Sequence, residues 1–228
     1  MGNFMGLPNK HSHRNQIHYL ETLKGILTMA RNPEKTESVF DIEDGLRDTE
    51  ATRLAVEHVR KDPQMAAMID ERYLRHSEHD LDALLKLPAG TLGNAFARHI
   101  VDRGFDPDYF RKRALNDDID YILMRLRQTH DIWHVITGFD TDPIGELGVK
   151  ALEVAQTRRP MAAVVASGGL LRFLLHDPED LGKVLSAISG GYQMGIKAKL
   201  LLAQKWEDHW DRPLEEWRTM LNITPFQY

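Results

Sequence analysis

Apolar residues recur along this chain at spacings of three and four rather than two, the signature of helices with one buried face. Ile17, Leu20, Leu23, Ile26 and Leu27 set the pattern, which stops at Asn32-Pro33. Helices are expected over 34–46, 49–61, 64–75, 80–86 and 91–103, the last terminated by Gly104. Asp106-Pro107-Asp108 opens a short helix, and Asn116 or Asp117 caps a long one reaching Thr137. Further helices fit 145–158, 161–175, 178–189, 191–211 and 213–221, while only 39–44 offers a weak strand alternation. No Pro/Gly/Ser-rich linker, repeat or low-complexity tract divides the chain. The expectation is an all-α fold, a single helical domain over residues 1–228 built from roughly ten helices.

Charge excludes one class of partner. With a formal net charge of −5 over 228 residues and no basic run interleaved with aromatics, the chain is not built for nucleic acid. The absence of cysteine removes disulfides and thiolate ligands. Residues 1–14 carry no apolar signal region, and the longest apolar tract, 161–175, is broken by Ser167-Gly168-Gly169 and Arg172. No signal peptide and no transmembrane helix is therefore expected.

The chemistry is concentrated in His130-Asp131-Ile132-Trp133-His134 and in Glu146 beyond it. Two histidines four apart project from one helical face, and Asp131 lies about 100° further round. Gly138, Asp140-Thr141-Asp142-Pro143 and Gly145 can reverse the chain so that Glu146 returns to the same place, putting the motif on two adjacent helices. Two imidazoles and two carboxylates suit zinc, iron or manganese. A lone His-x-x-x-His pair is usually two unrelated histidines. Here Ile132, Trp133, Val135 and Ile136 bury the helix, so its polar residues need partners. A His-Asp metal phosphohydrolase would need further ligands, and His99 and His176 lie in no matching motif.

Ala187, Gly191 and Gly195 recur every four residues and strip one helix face of side chains. Such a face admits a second helix at close range or leaves a groove for an elongated ligand. Trp206, Trp210 and Trp217 fit core packing better than a membrane interface.

The motif is identical in spacing to that of the Coq-four family of coenzyme Q (ubiquinone) biosynthesis proteins, which this chain resembles. Leu87-Pro88-Ala89-Gly90-Thr91-Leu92-Gly93 is similar to a family turn, Asp117-Asp118 through Arg125-Leu126-Arg127 to its upstream pattern, and Gly145-Glu146 with Lys150, Glu153, Gln156 and Pro160-Met161 to its downstream one. The likeness is strongest over about 80–228. Gln128 departs from it, standing where an acidic residue is expected.

The resemblance implies His130, Asp131, His134 and Glu146 as metal ligands and catalytic residues. The ion implied is divalent, zinc first, with iron, manganese or magnesium as alternatives. The implied reaction is C1 decarboxylation, with hydroxylation, of a polyprenylated hydroxybenzoate. The alternative is a non-catalytic prenyl-lipid scaffold that organises other quinone-biosynthesis enzymes. Arg125, Arg127, Gly168 and Gly169 are candidate contacts to a prenylated quinone precursor or another isoprenoid lipid; the arginines equally suit pairing with carboxylates such as Asp118. Lys150, one turn after Glu146, has an ion pair with it as its default role. A bacterial cytoplasmic homodimer with peripheral contact to the inner face of the membrane completes the expectation.

Overall fold

A computed structural model describes residues 37–74, 80–107 and 112–228, with side chains of the first helix described from residue 42 onward. The expected helix over 17–27 and the polar N-terminal stretch lie outside the described residues, as does part of the short helix expected at Asp106-Pro107-Asp108. Ten α-helices and no strand are found among the described residues. They are α1 (Glu37–Leu46), α2 (Glu50–Val59), α3 (Pro63–Asp70), α4 (Leu81–Leu85), α5 (Leu92–Arg103), α6 (Asp118–Thr137), α7 (Pro143–Thr157), α8 (Pro160–His176), α9 (Leu181–Lys197) and α10 (Leu214–Leu221).

Local chemistry explains most of the boundaries. Thr49, Asp62, Asp80, Thr91, Asp117 and Asp142 each stand just before a helix and accept a first-turn backbone N–H through the side chain. Gly104 and Gly138, at φ 63° and 76°, close α5 and α6 in the left-handed region. The weak strand alternation at 39–44 is helix instead. No strand among the described residues is there to take its backbone groups, whereas Ile42 and Leu46, four apart, bury together against Met161.

The core is organised around α6, which is buried along most of its length through Tyr121, Ile122, Leu126, Ile132, Trp133 and Ile136. The Ala187/Gly191/Gly195 face is buried against α7. A Cβ at Gly191 would overlap the Gly148 carbonyl, and one at Gly195 would come 2.8 Å from the Leu152 carbonyl. Close helix approach, not a groove, is what the small residues provide. For the same reason α9 runs unbroken through Gly190-Gly191, correcting the expected division there.

The helix expected to continue to 211 ends at Lys197. Beyond it, short 3₁₀ turns at Leu201–Ala203 and Trp206–Asp208 insert Leu201, Leu202 and Trp206 into the core. Trp206 packs on Trp217 with ring centroids 4.7 Å apart, and Trp210 stacks on Phe96 at 5.2 Å. The α8–α9 hairpin keeps Leu171, Leu174, Leu175, Leu185, Tyr192 and Ile196 exposed. No helix among the described residues is long and apolar enough to cross a membrane.

Candidate metal centre

The centre is made where α6 ends and α7 begins. Gly138 terminates α6 and turns the chain. Asp142 then accepts the Ile144 and Gly145 N–H groups, both at 2.8 Å, and Pro143 occupies the first turn, where a missing N–H costs nothing. This short connection brings Glu146 back to the last turns of α6.

Three donors converge. His134 Nε2 lies 3.2 Å from His130 Nε2 and 3.2 Å from Glu146 Oε1, and His130 Nε2 lies 3.4 Å from the same oxygen. Four ligands around an ion at about 2.0–2.1 Å are about 3.3–3.4 Å apart in tetrahedral geometry. The observed triangle therefore fits one face of such a shell, and these three residues could hold a metal ion. His134 is wholly buried, whereas the His130 and Glu146 side chains are 28% and 37% exposed, so the triangle opens on one side.

The orientation of His134 is determined by its second nitrogen. Nδ1 lies 3.0 Å from the Phe139 carbonyl, an acceptor only, so Nδ1 carries the hydrogen and donates. Nε2 is then directed at the triangle as the basic nitrogen. Burial disfavours charge on Glu146, but the two histidines facing it, His130 foremost, outweigh it and hold the carboxyl well below its usual range. Burial likewise opposes charge on His134, yet the Glu146 carboxylate raises its pKa.

Asp131, expected as a fourth ligand, does not join this group. The turn of about 100° that separates it from His130 carries its carboxylate aside, where its charge acts on His99 and His134. His99, on α5, stacks on His134 with ring centroids 6.1 Å apart. Its Nε2 is buried without a hydrogen-bond partner, and burial together with Arg103 pushes its pKa down to about 4. His99 thus borders the centre as a neutral ring, which its place in the sequence did not reveal.

The arginines before the motif are engaged with protein groups. Arg125 is fully buried and donates to Glu207 at 2.5 and 3.0 Å, to the Gln204 carbonyl at 2.5 Å and to Gln128 at 3.0 Å. Gln128, in place of an acidic residue, accepts one of these bonds. Arg127 pairs with Glu43 of α1. Asp118, considered as a partner for these arginines, is held by Arg60 and Arg72 instead.

Gly168 is buried, and a Cβ at Gly169 would overlap the Leu147 side chain, so Leu147 fills that notch. Lys150 donates to Glu153 at 3.1 Å rather than pairing with Glu146, whose carboxylate is turned to the histidines.

The C-terminal segment braces the loop from outside. Phe226 stacks on Phe139 at 4.6 Å and donates its N–H to the Thr137 carbonyl at 2.8 Å, while Tyr228 Oη accepts the Asp140 N–H at 2.8 Å. Arg218 donates to the Val135 and Ile136 carbonyls, satisfying acceptors left by the end of α6.

With this geometry in place, comparison with known proteins is informative. The family model described as Coenzyme Q (ubiquinone) biosynthesis protein Coq4 matches residues 13–227. The chain belongs to the Coq4 family. A Danio rerio protein described as a mitochondrial ubiquinone biosynthesis protein COQ4 homolog is 33% identical over 170 residues, 73% of this chain and 62% of that protein. A Nematostella vectensis protein of the same description is 32% identical, over 64% of this chain and 72% of that protein. A crystal structure of a candidate ubiquinone biosynthesis protein from Nostoc punctiforme superposes with a TM-score of 0.81 at 36% identity, covering 89% of this chain and 97% of that one. The chain spans 62% to 64% of the length of the Danio rerio, Rattus norvegicus and Mus musculus relatives. The triad of this Coq4-family chain thus sits on a fold shared with a solved relative.

Proposed function

We propose that this chain is a metal-dependent enzyme of ubiquinone or related prenylquinone biosynthesis, acting in C1 decarboxylation of a polyprenylated hydroxybenzoate. The observation that carries the reading is the three-donor triangle of His130, His134 and Glu146 with one side open, the pattern of catalytic rather than structural sites. Zinc suits two imidazoles and a carboxylate, with iron, manganese or magnesium as alternatives. A bound divalent ion supplies Lewis acidity toward a substrate oxygen.

The protein's share follows from the geometry. The Phe139 carbonyl fixes the basic nitrogen of His134, and Glu146 supplies the single negative charge. His130, the partly exposed imidazole, would in its protonated form be the group placed to hand a proton to the ring carbon as carbon dioxide departs with its electrons left on the ring. Coupling to hydroxylation requires dioxygen as the oxidant. Asp131, beside the triangle rather than in it, is available to hold a proton at the same face.

A second reading, a prenyl-lipid scaffold for other quinone-biosynthesis enzymes, is favoured by the exposed apolar face of the α8–α9 hairpin. On either reading that face is where the chain meets a second copy of itself or the inner face of a bacterial membrane, with the protein otherwise in the cytoplasm. Elemental analysis of the purified chain beside His134→Ala separates the two. About one ion per parent chain, lost from a variant of unchanged helicity, supports the enzyme and calls for assay of carbon dioxide release. Metal in neither protein, even after reconstitution, leaves the scaffold.

A further inference from the structure

Next to the triad runs a buried chain of charges that the ligand geometry does not require. On α7, Glu146, Lys150 and Glu153 lie within an arc of about 60°, and on α6, Arg127 and His130 do the same, giving two polar stripes that meet at His130 and Glu146. Along them Lys150 donates to Glu153 at 3.1 Å, Arg159 bridges Glu153 at 2.7 Å and Glu43 at 2.8 Å, and Glu43 also meets Arg127. The side chains are between 3% and 14% exposed, Lys150 the most. The Glu146 carboxylate is committed to the histidines.

Lys150 lies one helical turn from Glu146 along α7. An ammonium has three N–H donors, and Glu153 accepts the one hydrogen bond described for it. Burial disfavours its charge, but Glu153 and then Glu146 outweigh that and keep it an ammonium. A buried cation with unused donors one helical turn from an open ligand triangle is a site for an anion.

We propose that Lys150 anchors the carboxylate of an aromatic acid at the triad, its remaining N–H groups donating to the carboxylate oxygens. This rests on the reading of the triad as a metal-dependent site and adds its specificity. The acid is held by Lys150, and a ring that has lost its carboxylate loses the anchor, so the site discriminates substrate from decarboxylated product.

The test compares two probes on the full-length, zinc-loaded chain by calorimetric titration: 3-prenyl-4-hydroxybenzoate and 2-prenylphenol, which differ in the carboxylate. The parent is expected to bind the acid on the order of tenfold or more tighter. Lys150→Met is expected to abolish that preference while leaving phenol affinity and zinc content unchanged, and Lys150→Arg to keep most of it. Should Lys150→Met fail to fold, Lys150→Met/Glu153→Gln removes the unpaired buried carboxylate and allows the same comparison. Equal affinity of the parent for acid and phenol overturns the anchor, as does a preference that survives in Lys150→Met with zinc retained. A parent chain that holds no zinc overturns the metal reading itself, a result distinct from either.

Discussion

Replacing Gly191 with alanine tests the contact that positions Glu146. The added Cβ would overlap the Gly148 carbonyl oxygen and lie 2.8 Å from its carbon and 3.1 Å from the Gly148 Cα. These are backbone atoms and cannot rotate away, so α7 and α9 must separate. Forcing a methyl group into a filled contact costs about 1–3 kcal/mol, while alanine recovers about 1 kcal/mol of helix propensity over glycine. The net expectation is a loss of up to about 2 kcal/mol, which for a chain of this size lowers Tm by up to about 8 °C. Gly182 of the same helix is the control, because a Cβ there meets nothing within 4 Å. Gly182→Ala should gain about 0.5 kcal/mol and raise Tm by about 1–2 °C. Thermal melts followed by circular dichroism read both. Since Gly148 is two residues from Glu146, Gly191→Ala should also retain zinc less well. A Gly191→Ala protein that melts as far above the parent as Gly182→Ala does would refute the backbone-to-backbone seam.

Arg125→Leu should destabilise by about 3–5 kcal/mol, because it strands the nearly buried Glu207 carboxylate, and Arg125→Leu/Glu207→Leu should recover most of that; urea denaturation checks both, and a single variant as stable as the parent would show that the pair does not hold the helix. Stability should also fall in acid through Glu153. Burial opposes its ionisation, but Lys150 and Arg159 hold its pKa below 4.5, so its contribution is complete above that value and is lost as pH falls through the lower, folded one. Glu153→Gln should therefore flatten the fall of Tm between about pH 5 and pH 3 without removing it, since Asp120 is depressed as well; a slope as steep as the parent's would contradict the assignment.

Features carried by neighbouring residues were legible in the sequence. The helix starts near 49 and 91, the cap expected at Asn116 or Asp117 and found at Asp117, the stop at Gly104 and the His-x-x-x-His face depend on spacings of a few residues, and helix geometry converts them directly into positions. The return of Glu146 was readable because Gly138 and Asp142-Pro143 are turn chemistry. What could not be read depended on distant partners. Arg125 is claimed by Glu207 and Arg127 by Glu43, and no local pattern announces either. The region 198–211 has helical spacing, yet Leu201, Leu202 and Trp206 are worth more in the core as short turns than on one continuous face. Asp131 shows the limit of motif reading: adjacency to a ligand in sequence places a side chain about 100° away from it on a helix.

The same distinction bears on how the centre works. Its three donors come from residues 130–146, but their mutual distances are imposed by contacts made much later in the chain. Phe226 fixes the Phe139 ring, and the Phe139 carbonyl fixes the ring nitrogen of His134 that points into the triangle. Gly191 fixes the height of Gly148, and with it the first turn of α7 that carries Glu146. Ligand identity and ligand spacing are therefore under separate control. Substituting a donor removes a bond to the ion outright, whereas substituting Phe226 or Gly191 leaves every donor present and changes the size of the triangle. On the proposed metal reading, because an ion's preferred donor distances differ by only tenths of an ångström between metals, these remote supports, rather than the motif, are where a choice among divalent ions would be tuned.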